Sequence, residues 1–153
     1  MGIQFETDYN METLTAMAKG LRKTVRKKRS RRVHIFAAVV LILGLLTILA
    51  TTAGGEPPGA SGVVTLLAML VVILVSLFED RLNAWFARKR LLPGTEHAVA
   101  TFEEDGYVSA TGVTESRFSY AQIVAVAETA RYFVFALSSH HTQAYDKRTI
   151  RGG

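Results

Sequence analysis

The side chains that could carry chemistry form small, separate groups. His140 and His141 are adjacent, and no third ligand follows at the spacing that zinc sites use. The acidic run Glu103–Asp105 lacks the regular series of oxygen ligands that a calcium loop needs. We therefore expect the two histidines to lie in a surface turn and the acids to form a solvated hairpin tip.

Nucleophilic, redox and phosphate-binding chemistry find no better support. Ser119 and Tyr120 have no base beside them, and the glycine pairs at 54–55 and 152–153 are not set between a strand and a helix as in a phosphate-binding loop. The chain has no cysteine, which excludes disulfides and thiolate sites. His34, at the start of an apolar run, is expected to be an interfacial residue. The sequence predicts no enzyme, with no catalytic residue, no cofactor and no metal.

Two long apolar stretches dominate the first half of the chain. Val33–Thr52 has no Asp, Glu, Lys or Arg, and its length corresponds to ~30 Å of helix, the thickness of a bilayer core. Val63–Phe78 is a second such run, which reaches full thickness by continuing to Leu82. Neither run has a polar helical face, and a chain of 153 residues cannot bury both in a core of its own. We predict a hairpin of two membrane-spanning helices.

A cleaved signal peptide is the alternative interpretation of the first run. The 32 residues before it are more than an ordinary leader region, and the run is longer than a signal core. No ionisable side chain lies within 35–52 or 63–78, although transporters and pumps need such groups at depth. The hairpin is therefore expected to be an anchor.

Positive charge is concentrated beside the first run. Nine of the 18 Lys and Arg residues lie between Lys19 and Arg32, with no acid among them. Such a run can bind nucleic acid. Next to a span, however, it favours the anionic lipid of the inner leaflet, where each base contributes about 1 kcal/mol. No nucleic-acid partner is expected. The predicted membrane-interface anchors are Arg26, Lys27, Lys28, Arg29, Arg31, Arg32, Trp85, Arg88, Lys89 and Arg90.

The layout predicted for the chain has six parts. Residues 1–32 hold a short strand and a basic amphipathic helix from Asn10 to about Arg32, which runs into the first span without a break. The spans are 33–52 and 63–82, joined by an external loop at 53–62. A juxtamembrane helix and linker at 83–94 lead to a cytosolic β domain at 95–153. We expect a two-pass protein of the cell membrane with both termini in the cytoplasm.

The C-terminal segment has the pattern of short antiparallel strands. His97–Phe102 and Tyr107–Thr111 flank an Asp-Gly turn, and Tyr132–Leu137 is rich in aromatic and β-branched residues. Other strands are expected at 116–120, 122–127 and 142–145. We predict a meander of about five strands. With ~60 residues it is near the lower limit for an independent core, so it is expected to lean on the N-terminal strand or the juxtamembrane helix. The fold class is an α+β membrane protein: a two-helix hairpin followed by a small β domain.

Several segments of the chain resemble the YcxB-like family of bacterial membrane proteins. The layout is similar to that of the family, with a short N-terminal β/α segment, two spans and a C-terminal domain. The resemblance implies an inner-membrane protein whose C-terminal domain is related to pleckstrin-homology-like folds, and it assigns no activity to any residue. The motifs that carry it are FEEDGY (Phe102–Tyr107), SRFSYAQI (Ser116–Ile123), VAETARYFVFAL (Val126–Leu137) and AYDKRTIRGG (Ala144–Gly153).

The chain departs from the family pattern at two places. Asp146 precedes Lys147 where the family pattern has a proline. The resemblance also implies a packing helix after the last strand, and without it the sheet face that it covers would be bare. The sequence alone leaves open what covers that face.

Two functions fit these features. The first is a non-enzymatic, membrane-anchored module that presents its β domain to a partner protein or lipid headgroup, or to a second copy of itself. The alternative is an accessory subunit of a membrane enzyme or transporter whose site another chain completes. That site would use Arg117, Arg131, Lys147 or Arg148, and convergence of these bases in one concave pocket would favour it.

Overall fold

The computed structural model describes residues 2–152, in two compact units. One unit is the segment 28–79. The other combines the chain up to Lys27 with the chain from Asp80 onward. The first unit is therefore an insertion in the sequence of the second.

The inserted unit contains most of two long apolar helices. Helix α2 is Lys27–Ala53 and helix α3 is Ala60–Leu77. Most of their large apolar side chains are exposed, among them Phe36 at 70% and Leu77 at 73%. By length and composition alone, both helices could cross a membrane. The connection at 54–59 contains Gly55 with a φ of +79°, a conformation that glycine adopts without strain.

The two helices pack closely where α2 carries a glycine. A Cβ atom on Gly44 would lie 2.8 Å from the Met69 sulfur and 3.0 Å from its Cγ. The missing side chain lets the thioether of α3 approach the α2 backbone, as small residues do at helix–helix contacts in membranes.

The prediction of one helix from Asn10 to about Arg32 is wrong. Helix α1 is Met11–Lys23, and α2 begins at Lys27. Between them, the Arg26 N–H donates to the Leu21 carbonyl over 2.8 Å, one residue further back than in an α-helix. Thr24 and Val25 are β-branched and have low helix propensity, and the Thr24 hydroxyl donates to the Gly20 carbonyl. These features end α1 without a glycine or proline in the break.

The second predicted helix is also interrupted. Helix α3 ends at Leu77, Phe78 leaves helical geometry with φ −105° and ψ 18°, and helix α4 is Glu79–Arg90. The apolar run ends at the same point, where Glu79 and Asp80 begin a charged segment. The predicted range 63–82 therefore covers parts of two helices.

Four strands form the larger sheet, in the order β1-β2-β3-β4. Strand β1 pairs antiparallel with β2, with Phe5 opposite Ala100 and Asp8 opposite His97. The N-terminal strand thus completes the sheet, as the small size of the C-terminal domain predicts. The strands are β1 (Ile3–Asp8), β2 (His97–Phe102), β3 (Gly106–Thr111) and β4 (Glu115–Ser119).

Three further strands form a second antiparallel sheet in sequence order. A single meander of about five strands was the expectation, whereas the described residues after 95 hold six strands in two sheets. The predicted strand 122–127 is shorter, because Tyr120–Gln122 is a 3-10 turn capped by Ser119. The strands are β5 (Ala125–Glu128), β6 (Tyr132–Ala136) and β7 (Thr142–Asp146).

Strict alternation along β6 gives the second sheet two apolar faces. Phe133 and Phe135 pack against the first sheet, in an aromatic core with Phe5, Phe102 and Tyr107. Residues 132, 134 and 136 are buried on the other face. A small side chain at 144 lies opposite Val134 and completes that face.

Helix α1 covers the outer face of the second sheet. Ala16 and Met17 pack against the cluster around Val134. A Cβ atom on Gly20 would lie 2.8 Å from Val134 Cγ1, so the helix backbone approaches the sheet directly. Thr13 is 1% exposed and its hydroxyl lies 3.0 Å from that of Tyr132. An N-terminal helix therefore occupies a sheet face that would otherwise be bare.

Candidate functional site

A cleft of about 440 Å³ opens between α1, α4 and the turn that connects β6 to β7. We call it the α1–α4 cleft. Its apolar floor consists of Leu14, Met17 and Leu21 from α1 and of Phe86 from α4. These α1 side chains belong to the apolar stripe of the amphipathic helix. The edge of this stripe faces the cleft, and Met17 contacts both the cleft and the second sheet.

The rim of the cleft is basic. Arg26, Arg90, His140 and His141 line it together with the amide of Asn83, and none of the described lining residues is Asp or Glu. Two arginines and two imidazoles around an apolar floor make a surface that suits an anion with an apolar part.

Arg26 is fixed in place by the β6–β7 turn. Its Nε donates to the Ser139 carbonyl over 2.8 Å, and its Nη2 lies 3.1 Å from His140 Nδ1. Since a guanidinium only donates, His140 Nδ1 accepts in this geometry and the proton of the neutral ring is on Nε2. The break after α1 brings Arg26 to this turn.

Four Lys and Arg side chains of the described residues are half-buried, and Arg26 differs from the others. Arg22, Arg131 and Lys147 each pair with a carboxylate. Arg26 contacts a carbonyl and an imidazole, with no carboxylate within ion-pair distance among the residues that the structure describes. Its positive charge is positioned by neutral partners and is not neutralised.

An ion pair joins helix α4 to helix α1. Arg22 Nε and Nη2 donate to the two oxygens of Asp80, each over 2.9 Å. Two parallel hydrogen bonds of this kind fix orientation as well as distance. Further along α4, Trp85 stacks edge to face on Phe86, and Lys89 Nζ lies 3.7 Å from the centre of the Trp85 ring.

A second cavity of about 370 Å³ adjoins the cleft. Leu14, Met17, Ala87, His141 and Thr142 line both. The second cavity is otherwise lined mainly by neutral groups that can donate and accept hydrogen bonds, and we call it the hydroxyl cavity. Its polar lining is Tyr9, Thr95, Ser109, Thr111, Thr114, Ser116 and Gln143.

The predicted membrane-interface anchors fall into separate groups in the structure. Arg26 belongs to the α1–α4 cleft. The anchors Lys27, Lys28, Arg29, Arg31 and Arg32 are exposed at the beginning of α2, and Trp85, Arg88, Lys89 and Arg90 are exposed on α4. Arg90 also lines the cleft.

The four bases named for a shared site lie beside acids. Arg131 and Arg148 both bind Asp146, whose side chain is only 7% exposed, and Lys147 pairs with Glu128. Arg117 lies apart on β4, 4.0 Å from Glu103. Around Asp146 the charges are mutually satisfied, as in a structural ion-pair cluster.

The histidines and acids keep separate positions. His140 and His141 lie in the β6–β7 turn, as predicted, where both backbone N–H groups donate to Ser138 Oγ. Within 2–152, no three His, Asp or Glu side chains come together as a metal site. His34 Nε2 lies 3.6 Å from Glu79, and its Nδ1 donates to the Ser30 carbonyl over 2.8 Å.

Buried tyrosines occupy the interior of the domain. Burial raises the pKa of Tyr9 to about 12. Burial also raises the pKa of Tyr107 and of Tyr145, whose hydroxyl donates to Gln143 over 2.6 Å. The Tyr107 hydroxyl, by contrast, is buried without a hydrogen-bond partner among the described residues.

Comparison with known proteins supports the sequence resemblance. Residues 102–144 match the family model described as YcxB-like protein. The match extends from the end of β2 into β7, and it contains three of the four motifs in whole. No match was found among curated proteins or among solved structures. A YcxB-like domain is therefore identified in this part of the chain.

Proposed function

We propose that the chain is a non-enzymatic, membrane-anchored module that holds a small β domain at the cytoplasmic face of the membrane and presents it to a partner protein or a lipid headgroup. The observation that carries the proposal is the pairing of β1 with β2. The two strands belong to one sheet, yet the two apolar helices lie between them in the sequence.

This pairing constrains how the chain crosses a membrane. Both partners of a strand pair must lie on the same side, so the intervening segment makes an even number of crossings. Helices α2 and α3 are two segments of sufficient length and apolar composition. Their exposed apolar side chains need a non-aqueous environment.

The distribution of charge supports a cytoplasmic position for the β domain. Basic residues cluster immediately before the first apolar run and again at Arg88–Arg90, whereas Glu56 is the only charged residue of the loop between the helices. Lys and Arg near span ends favour the cytoplasmic side. The same residues attract anionic headgroups.

A pleckstrin-homology-like fold is part of the proposal. Two packed antiparallel sheets with one helix against them, and the YcxB-like match at 102–144, support it. An experimental structure in which the covering helix does not lie on the β5–β7 sheet would contradict this assignment.

Cysteine labelling tests the topology cleanly, since the chain has no native cysteine. Pro57→Cys reports on the loop between the helices, and Asp105→Cys and Glu104→Cys report on the β2–β3 turn. In intact cells an impermeant maleimide should label Pro57→Cys, and should label the other two only after permeabilisation. The reverse pattern would invert the orientation, and release of the protein by alkaline carbonate would refute membrane insertion.

A further inference from the structure

We infer that the α1–α4 cleft binds an amphiphilic lipid that has acyl chains and a compact anionic headgroup, a phosphate monoester. The inference deepens the proposed function and rests on it, since the membrane that anchors the chain would supply this ligand. It concerns a single bound molecule in a defined cleft, which is distinct from the general attraction of surface bases to a charged bilayer.

The anionic part of the ligand is required by the charge of the rim. Arg26 is half-buried and held by the Ser139 carbonyl and His140 Nδ1, so it cannot turn away as an exposed lysine can. The Nη1 of Arg26 has no hydrogen-bond partner among the described residues. Arg90 lines the same cleft, and it forms no ion pair with any residue that the structure describes. An oxyanion with several acceptor atoms can bind both guanidinium groups at once.

The imidazole of His140 adds a donor at the same place. Because Nδ1 accepts from Arg26, the proton of the neutral ring is on Nε2. The ring is exposed, so this N–H is accessible to a ligand. A phosphate headgroup has enough oxygens for the arginines and for this third donor.

The apolar part of the ligand is required by the floor. A free anion would use the rim and leave two floor side chains uncovered, the partly exposed Met17 and Phe86, which is 52% exposed. Burial of these side chains by an acyl chain removes apolar surface from water. The volume of about 440 Å³ lies within the ~300–1,000 Å³ of small-molecule sites.

The hydroxyl cavity suits the part of such a ligand between its head and its chain. It shares Leu14, Met17 and His141 with the cleft, and its other polar groups are uncharged. Ester and hydroxyl oxygens bind to uncharged donors and acceptors of this kind. A long polyanion, by contrast, would gain nothing from an apolar floor continued by neutral hydroxyls.

The experiment uses the full chain in a non-ionic detergent and measures bound lipid by native mass spectrometry. The probes are dioleoyl phosphatidic acid, dioleoyl phosphatidylcholine and inorganic phosphate. Arg26→Gln and Arg90→Gln remove rim charges, and Phe86→Ala removes part of the floor. Arg81→Gln and Arg117→Gln are matched controls, since both side chains are exposed, carry the same charge, do not line the cleft and lie outside the predicted lipid anchors.

We expect one molecule of phosphatidic acid per chain, and little phosphatidylcholine at the same concentration. Arg26→Gln should weaken phosphatidic acid binding about tenfold, and Arg90→Gln and Phe86→Ala should each weaken it several-fold. The two controls should leave it within about twofold. Equal concentrations of inorganic phosphate should not displace the lipid.

Three outcomes would overturn the inference. The first is equal binding of the two lipids by the wild-type chain, and the second is equal weakening by control and cleft variants, which would indicate surface attraction alone. The third is displacement of the lipid by inorganic phosphate, which would show that the apolar floor of the cleft does not contribute to binding. Failure here, with Pro57→Cys and Asp105→Cys labelled on opposite sides, leaves the anchored module intact. The opposite combination is also informative. If the chain binds phosphatidic acid specifically in detergent but alkaline carbonate releases it from membranes, the proposed membrane anchoring is contradicted and the lipid site is not.

Discussion

The Asp80 carboxylate accepts two parallel hydrogen bonds from Arg22, and this pair joins the first helix of the chain to the helix that follows the apolar hairpin. The two residues are 58 positions apart in the sequence. The Asp80 side chain is 19% exposed and that of Arg22 is 32% exposed, so solvent screens the pair only in part.

Removal of this carboxylate should loosen α4. Asp80→Asn keeps the shape of the side chain and removes the charge, so we expect a loss of about 1 kcal/mol in the local stability of α4. Hydrogen exchange of the α4 amides, followed by mass spectrometry in detergent, measures this directly. Asp105→Asn, at an exposed turn, is the matched control and should leave the exchange unchanged. Equal exchange in Asp80→Asn and wild type would contradict the role given to the pair.

The contact of Gly20 with the sheet predicts a size limit at that position. Gly20→Val would place methyl groups where Val134 already lies, and we expect a loss of about 1–3 kcal/mol despite the gain in helix propensity. Thermal unfolding followed by tyrosine absorbance is the measurement. Val134→Ala in the same chain should recover part of the loss because it vacates the contested space. Gly59→Ala, with no atom within 4 Å of the added Cβ and an ordinary φ, is the control. If Gly20→Val unfolds at the wild-type temperature, α1 does not lie this close to the sheet.

The Gly44–Met69 contact makes a parallel prediction for the hairpin. Gly44→Leu should push the two helices apart, whereas Gly44→Ala should be tolerated because the Met69 thioether is flexible. The distance between spin labels on cysteines introduced at Thr47 and Leu66 reports on the separation of the helices in detergent. This distance should increase in Gly44→Leu and return towards the wild-type value when Met69→Ala is added. An unchanged distance in Gly44→Leu would show that α2 and α3 do not meet at this glycine.

The buried tyrosines predict loss of stability in alkali. Burial holds the pKa of Tyr9 near 12, above its ordinary value of 10. Below pH 10 both states keep the phenolic proton and the full stability is present. Above pH 10 the unfolded state releases it while the folded state retains it, so the free energy of unfolding falls by about 1.4 kcal/mol per pH unit until about pH 12.

Denaturant unfolding between pH 9 and pH 12 measures this slope. Tyr9→Phe should make the fall of the unfolding free energy with pH less steep, by the amount that corresponds to one proton, because phenylalanine has no phenolic proton to release. Tyr120→Phe removes a phenol from a side chain that is 39% exposed and is the comparison variant. A slope that is the same in Tyr9→Phe and wild type would remove Tyr9 from the alkaline transition.

The hydrophobic pattern of the sequence predicted those helices and strands that have the same surroundings along their whole length. The alternation in Tyr132–Leu137 became β6, and the apolar runs became α2 and α3. The break at Thr24–Arg26 was missed because neither glycine nor proline marks it. It depends on the bonds of the Thr24 hydroxyl and the Arg26 N–H back to the last turn of α1. Arg26 then contacts the Ser139 carbonyl, which is 113 positions later in the chain.

The candidate site could be predicted only in its parts. The apolar stripe of α1 was visible, and so was the turn containing His140 and His141. What was not visible is that Arg26, taken as one lipid anchor among many, binds the Ser139 carbonyl 113 positions later. No rule of spacing connects two residues whose proximity comes from the packing of a helix on a sheet. The two-sheet arrangement was missed for the same reason, since a meander and a folded sandwich share one pattern of strands.

The pairing of Asp8 with His97 also sets an order of events during synthesis. The first strand leaves the ribosome long before its partner exists, and at ~5–20 residues per second the delay is several seconds. Throughout that time Ile3–Asp8 has unpaired edges while the hydrophobic hairpin is being made. The segment therefore stays without its partner until translation reaches Phe102, and unpaired strand edges of this kind favour aggregation.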